Sequence, residues 1–192
     1  MLFRIFCFFK KNMKQCYSTD RLGVCLDEDE QRGLPGCLRT SSSSAYSMFL
    51  RRLCGLVLGA LGADVILTDL ATRLPLLKKN LAANISLLRG EVSVKVLDWC
   101  SHVSISDVDL LVLVDCLYYR SSVQPLIDTI KSCNASEILC VYEKRDIGEP
   151  LVAQQMFIQL VSKYYELNYV PDYELDPNYC SGDIPVIKLV KK

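Results

Sequence analysis

The sequence lacks several features that mark common classes of protein. His102 is its only histidine, and none of its ten cysteines forms a Cys-x-x-Cys pair. A zinc site needs several well-spaced ligands and a catalytic triad usually needs a histidine, so we expect neither a metal nor a His-based triad. No apolar stretch approaches the roughly 18 residues that cross a bilayer, so we expect no membrane span.

Net charge is also absent. Lysine plus arginine and aspartate plus glutamate each number 22, which gives no electrostatic reason to expect a nucleic-acid partner. The 192 residues are 51% hydrophobic, enough for a sizeable core without disulfides. Cys100, Cys116 and Cys140 fall in or beside expected strands, where reduced thiols act as small hydrophobes. We therefore expect a reducing compartment, the cytoplasm, with the nucleus left open beside it.

Residues 1–45 differ from the rest of the chain. Met1–Phe9 is apolar and aromatic, but Arg4 interrupts it and no small-residue cleavage site follows, which argues against a secretory signal. Residues 1–19 contain no acid, so a mitochondrial presequence stays open as an alternative. Acidic, serine-rich and Gly/Pro-containing stretches follow. We predict an atypical, poorly ordered extension over 1–45 and one domain over 46–192.

From Leu53 onward, the pattern alternates between strands and helices. Strands are expected at 65–68, 92–97, 108–114, 138–142, 166–170 and 184–190, and helices at 53–61, 72–88, 123–132 and 150–164. This alternation predicts an α/β, doubly wound sheet whose last two strands are antiparallel at its end. In the helix over 72–88 we expect Leu74, Leu77, Leu81 and Ile85 to share one apolar face.

Two residues follow neighbouring expected strands. Asp69 ends its strand, where an acidic side chain of a nucleotide-binding fold accepts hydrogen bonds from ribose hydroxyls. The alternative role of Asp69 is to cap the helix that begins near Thr72. Trp99, the only tryptophan, follows the next strand and is placed to flank a purine ring. Its alternative role is an ordinary core indole.

A carboxylate and a phenol follow the apolar strand over 108–114. Asp115 and Tyr118 lie three positions apart where this strand gives way to a loop, and ligands gather at such strand ends. The pair is suited to holding a substrate amine. The alternative is an aspartate that caps the next helix beside a packed tyrosine.

Residues 53–192 resemble the methyltransferase-like 21 family of seven-strand, S-adenosylmethionine-dependent protein-lysine methyltransferases. The resemblance rests on five segments, Cys54–Leu70, Leu77–Asn84, Val96–Trp99, Val114–Tyr119 and Tyr142–Arg145. Asp-Cys-Leu-Tyr in the fourth segment matches the family's Asp-x-x-Tyr signature. The resemblance implies a Rossmann-like sheet of the class I type.

The resemblance also implies roles for single residues. Asp69 would bind the ribose of S-adenosylmethionine, Trp99 would border the adenine, and the backbone of Val114 would contact the cofactor. Asp115 and Tyr118 would shape the channel of the acceptor lysine. The likeness is greatest to the branch that methylates valosin-containing protein, an ATPase chaperone, so a lysine of that protein is the implied acceptor. A monomer is expected.

The sequence departs from the family's pattern where the Gly-rich cofactor loop should lie. No glycine occurs between Cys37 and Cys54, so the first strand and its loop are atypical or missing. Tyr46–Leu50 is apolar enough to replace the strand. We interpret the departure as the result of an altered transcript or gene model joined near residue 53. A catalytically inactive isoform or truncated gene product that still binds the partner therefore stays open beside the active enzyme. A nicotinamide-dependent oxidoreductase is a weaker third reading.

Overall fold

The computed structural model describes residues 6–10, 54–101, 105, 108–177 and 180–192. Its strands are β1 (Phe6–Lys10), β2 (Asp64–Asp69), β3 (Val92–Val96), β4 (Leu110–Val114), β5 (Glu137–Val141), β6 (Tyr165–Tyr169) and β7 (Val186–Lys191). Residues 54–60 are helical and are called α1. The other α-helices are α2 (Leu74–Asn84), α3 (Arg120–Cys133) and α4 (Gly148–Val161). Short 3-10 helices cover Ala71–Arg73, Ile85–Leu87 and Asp172–Glu174.

The seven described strands form one sheet in the order β3-β2-β1-β4-β5-β7-β6. The β2–β3 and β4–β5 pairs are parallel, and each is joined through a helix, α2 or α3. Strand β7 runs antiparallel to both β5 and β6 at the end of the sheet. The predicted Rossmann-like α/β fold and its antiparallel final pair are thus confirmed.

Helices cover both faces of the sheet. Strand β4 shows this most clearly because all five of its residues are buried. Leu111 and Leu113 belong to a cluster with residues of α3 and α4, whereas Val112 and Val114 belong to a second cluster with residues of α1 and α2. Alternate side chains of a strand point to opposite faces, so a strand covered on both faces has no polar position. This explains the unbroken apolar run.

Helix α2 is shorter than the sequence suggested. The α-helical part ends at Asn84 and a 3-10 turn covers Ile85–Leu87. Leu77 is buried as predicted, but Ile85 is exposed, so its expected place on the buried face is wrong. A 3-10 turn has three residues per turn rather than 3.6, which moves the following side chains off the helical face. Asn80 and Asn84 are buried beside Leu77 instead.

Strand β1 occupies the centre of the sheet in an unexpected direction. Residues Phe6–Lys10 lie between β2 and β4 and run antiparallel to both. Phe6 pairs with Thr68 and Leu113 at the carboxyl ends of those strands. The domain boundary predicted at residue 46 therefore excludes a strand that belongs to the sheet, because hydrophobicity alone does not show which apolar segment fills a central slot. Outside β1, the residues of the predicted extension over 1–45 are not among the described residues, and neither is Tyr46–Leu50.

Three expected absences concern the described part of the chain. No helix there has the length and apolar character that a membrane crossing requires. No group of three or more histidine, cysteine or acidic side chains is placed to hold a metal ion among these residues. The six cysteines within the described residues from 54 onward are free thiols.

Candidate active site

The backbone turns sharply where β4 ends. Asp115 follows Val114 and has a φ of 49°, in the left-handed region that aspartate tolerates better than most residues. Its amide still donates to the carbonyl of Val141 at 2.6 Å, so the β4–β5 ladder holds the residue in place. The side chain is only 6% exposed. The strand end thus fixes a mostly buried carboxylate at the carboxyl edge of the sheet.

Tyr118 completes the predicted pair. Its hydroxyl donates a short hydrogen bond to Oδ2 of Asp115, which brings the two candidate residues into direct contact. The alternative in which Asp115 caps the next helix is wrong, because Tyr119 occupies the N-cap position of α3 and its side chain makes no capping hydrogen bond. The phenol is partly exposed, whereas the carboxylate is buried behind it.

Asp69 lies at the corresponding end of β2. It is 1% exposed, and its Oδ1 accepts the amide of Leu70 at 2.7 Å. Leu70, rather than Asp69, is the N-cap residue of the 3-10 turn Ala71–Arg73, so the capping alternative does not describe this carboxylate. Its main-chain carbonyl accepts the amide of Leu97, which connects the ends of β2 and β3. Asp69 is therefore positioned at the edge where a ribose would lie.

Trp99 lies in the hydrophobic core. It is 3% exposed and belongs to the cluster of β4, α3 and α4 side chains that includes Leu97 and Leu117. This placement agrees with the core-indole alternative. A role at the edge of an adenine stays a prediction, which requires the indole to present one face once a ligand is bound.

Val114 lies in the hydrophobic interior directly beneath the candidate site. Val114 packs in the cluster of α1 and α2, and its carbonyl accepts the thiol of Cys116 at 3.3 Å. Burial raises the pKa of the Cys140 thiol well above its ordinary value, and the neighbouring Cys116 and Asp115 raise it further. Cys140 is therefore a neutral thiol beneath the site and adds no charge to it.

A second loop reaches the same edge, and the sequence predicted no role for it beyond the resemblance of Tyr142–Arg145. Residues 142–147 follow β5, and the buried side chain of Gln154 in α4 bonds to the backbone of this loop. The only available signal was a glutamine beside the apolar positions Ala153 and Phe157, which also fits an exposed position at the margin of the buried face.

The reversed β1 changes the centre of the site. The ends of β2 and β4, with Asp69 and Asp115, flank the beginning of β1 rather than its end. Lys10, at the end of β1, pairs with Asp64 and so lies at the opposite edge of the sheet.

Comparison with known proteins identifies the family. The sequence profile of the lysine methyltransferase family matches residues 52–164, more than half of the chain, so the chain belongs to that family. The match includes Asp69, Trp99, Asp115 and Tyr118, and it begins after β1. Among solved structures, a TehB-like SAM-dependent methyltransferase from Corynebacterium glutamicum ATCC 13032 Kitasato is 19% identical to this chain. That alignment covers 72% of this chain and 73% of the other, with a TM-score of 0.46.

S-adenosylmethionine is the cofactor of this chain, as of its family. The residues at the ends of β2 and β4 fit it in chemical type, since Asp69 offers a carboxylate for ribose hydroxyls and the edge beside it is flanked by buried strands. The sequence departs from the family's pattern, because no glycine occurs between Cys37 and Cys54. A close backbone approach to the ligand there is harder without glycine.

Proposed function

We propose that this chain is a protein-lysine N-methyltransferase whose acceptor is a lysine of valosin-containing protein. The family match supports methyl transfer from S-adenosylmethionine. The observation that carries the proposal is the contact between Asp115 and Tyr118 at the carboxyl end of β4. A carboxylate bonded to a phenol at this edge is a fitting receptor for one amino group.

The proposed roles follow from the chemistry of an amine acceptor. S-adenosylmethionine supplies an electrophilic methyl group on a sulfonium. A lysine attacks only as the neutral amine, and its ordinary pKa is about 10.4. The Asp115 carboxylate orients the arriving ammonium and assists loss of its proton, directly or through water. The Tyr118 ring or hydroxyl aligns the nitrogen, and much of the acceleration comes from this positioning.

The acceptor and location are further parts of the proposal. The support for valosin-containing protein is the overall likeness of residues 53–192 to the branch that methylates it. We place the chain in the cytoplasm, with the nucleus as the alternative location, because thiols stay reduced in both. We propose that it acts as a monomer.

A second candidate is a partner-binding isoform without activity. The observation that favours it is the reversed β1, whose beginning rather than its end lies between the carboxyl ends of β2 and β4. Such a chain would still offer the described acceptor-side loops to the partner while holding the cofactor poorly. Binding to the partner without labelling would distinguish it from the active enzyme.

The test is transfer of radiolabelled methyl groups to cell extract and to purified valosin-containing protein. The proposal predicts label on one lysine of that protein and no label with Asp115→Ala. Glu166→Ala serves as the control because this carboxylate is exposed on β6, away from the site. Absence of label with normal binding of the partner would favour the inactive candidate, and label on a different protein would overturn the acceptor.

A further inference from the structure

The loop at residues 142–147 lies beside the Asp115–Tyr118 pair. Strands β4 and β5 are parallel neighbours, and Val114 pairs with Val141. The amide of Asp115 donates to the carbonyl of Val141. The loop that leaves β5 at Tyr142 therefore begins next to the carboxylate and shares its edge of the sheet.

Gln154 holds this loop from below. Its Nε2 donates to the carbonyl of Glu143 at 2.7 Å, and its Oε1 accepts the amide of Arg145 at 3.2 Å. The side chain belongs to a residue that is only 7% exposed. A buried amide destabilises a fold unless its hydrogen bonds are made, so an apolar side chain would serve packing alone better. The position of Gln154 is instead matched to the backbone of the loop.

Other contacts hold the remaining sides of the loop. The amide of Lys144 donates to the carbonyl of Asp183 at 2.7 Å, and its Nζ donates to the carbonyl of Gly182 at 2.8 Å. Glu143 and Arg145 form an ion pair at 2.6 Å whose side chains are 30% and 24% exposed. The backbone is thus fixed while a carboxylate and a guanidinium remain within reach of a protein that approaches the edge.

Helix α4 also contacts the segment after Tyr118. The amide of Arg120, the first residue of α3, donates to Oε1 of Glu149 at 3.4 Å. The first two turns of α4 thus contact the start of α3 through Glu149 and the loop after β5 through Gln154. One helix sets the relative position of both.

We propose that residues 142–147 form the wall of the acceptor-lysine site beside Asp115 and Tyr118, and that Gln154 is the positioning residue that holds this wall. The inference rests on the proposed function, because it assigns the loop to the acceptor protein. Gln154 does not touch the substrate. It acts through the backbone of Glu143 and Arg145, which fixes where their side chains meet the acceptor.

The test compares Gln154→Leu with Gln155→Leu, an exposed glutamine on the same helix. For Gln154→Leu the KM for the acceptor protein should rise roughly tenfold, while kcat and the Kd for S-adenosylmethionine stay within about twofold. Hydrogen exchange at the Arg145 amide should accelerate in this variant alone. An unchanged KM and unchanged exchange would overturn the inference, as would an equal loss of cofactor affinity and kcat.

A second variant keeps the test decisive if Gln154→Leu does not fold. The carboxyl group of Gln154→Glu donates to Glu143 only while it is protonated. Its acceptor KM should therefore rise with pH more steeply than that of the wild type, and a parallel pH profile would contradict the inference. If the wild type transfers no methyl group, the proposed function and the acceptor wall both fail. If the wild type is active and Gln154→Leu and Gln154→Glu both have the same KM for the acceptor as the wild type, the inference about the wall fails and the proposed function stands.

Discussion

At the scale of single residues, the site depends on a backbone conformation as well as on a carboxylate. Asp115 has a φ of 49°, which a residue with a Cβ adopts at a cost unless its side chain helps locally. Aspartate and asparagine tolerate this region, and glycine enters it freely. Substitutions of Asp115 therefore change both the charge of the site and the cost of its backbone conformation, and experiments must separate these two effects.

Three substitutions of Asp115 separate charge from backbone strain. Asp115→Gly, Asp115→Asn and Asp115→Ala all remove the carboxylate, so each should lose most of the methyl transfer. Only the alanine variant should carry the full cost of the left-handed conformation, about 1 kcal/mol of stability relative to the glycine variant. Transfer rates and urea unfolding measure the two effects. Activity that follows stability rather than charge would contradict the role of the carboxylate.

Tyr118→Phe tests the hydroxyl that contacts Asp115. The variant keeps the ring but loses the hydrogen bond, so we expect kcat to fall by roughly tenfold with little change in cofactor affinity. Single-turnover transfer at saturating cofactor gives the rate. Tyr173→Phe is the control, since Tyr173 is 86% exposed. An equal loss in both variants would mean that the effect is not specific to the site.

At the scale of helices and strands, the pattern of apolar residues predicted which segments are buried strands and which are helices. The buried run of β4 follows from its unbroken apolar stretch, and the helices after β2, β4 and β5 follow from a period of 3.6 residues. The same reasoning gave Asp69, Asp115 and Tyr118, because strand ends can be read from where apolar runs stop. It did not give β1 or Gln154, since strand pairing partners and bonds to a distant loop leave no local pattern.

Close packing between α1 and β3 makes Gly59 sensitive to substitution. A Cβ at this position would overlap the side chain of Val92, so Gly59→Ala should destabilise the fold by about 1 to 3 kcal/mol despite its better helix propensity. Urea midpoints give the difference. Gly182→Ala is the control because a Cβ there meets nothing within 4 Å. Equal midpoints for the two variants would contradict the close approach.

At the scale of the whole molecule, buried cysteine thiols and tyrosine phenols determine how the stability of the fold changes at high pH. Burial raises the pKa of Cys133 from 9.0 to about 12, and it also raises the pKa values of Cys140, Tyr142 and Tyr165. The folded chain keeps protons that the unfolded chain releases. The contribution of Cys133 is therefore complete below about pH 9 and is lost as the pH rises toward 12.

Stability should accordingly fall as the pH rises from about 9 toward 12. Urea midpoints across this range should decrease, and Cys133→Ala should show a shallower decrease than the wild type because one of the contributing protons is gone. The alanine variant also creates a small cavity, so its midpoint is compared with its own value at pH 8. A midpoint that rises with pH in the wild type would contradict the direction of these pKa values.

The missing Gly-rich loop should weaken cofactor binding. We predict that this chain binds S-adenosylmethionine far more weakly than a version in which residues before Leu53 are replaced by a Gly-rich strand and loop. The physical reason is the lack of glycines where the backbone should approach the ligand. Calorimetric titration measures both affinities, and a micromolar Kd for the present chain would refute the prediction.

The central claim is that the carboxyl ends of β2, β3 and β4 form one site for cofactor and lysine. Hydrogen exchange with and without millimolar S-adenosylmethionine tests it most directly. The account predicts slower exchange on cofactor addition at residues 69–70, 97–99 and 114–118, and loss of this protection at 69–70 in Asp69→Ala. Protection confined to other parts of the chain, or none at any cofactor concentration, would contradict it.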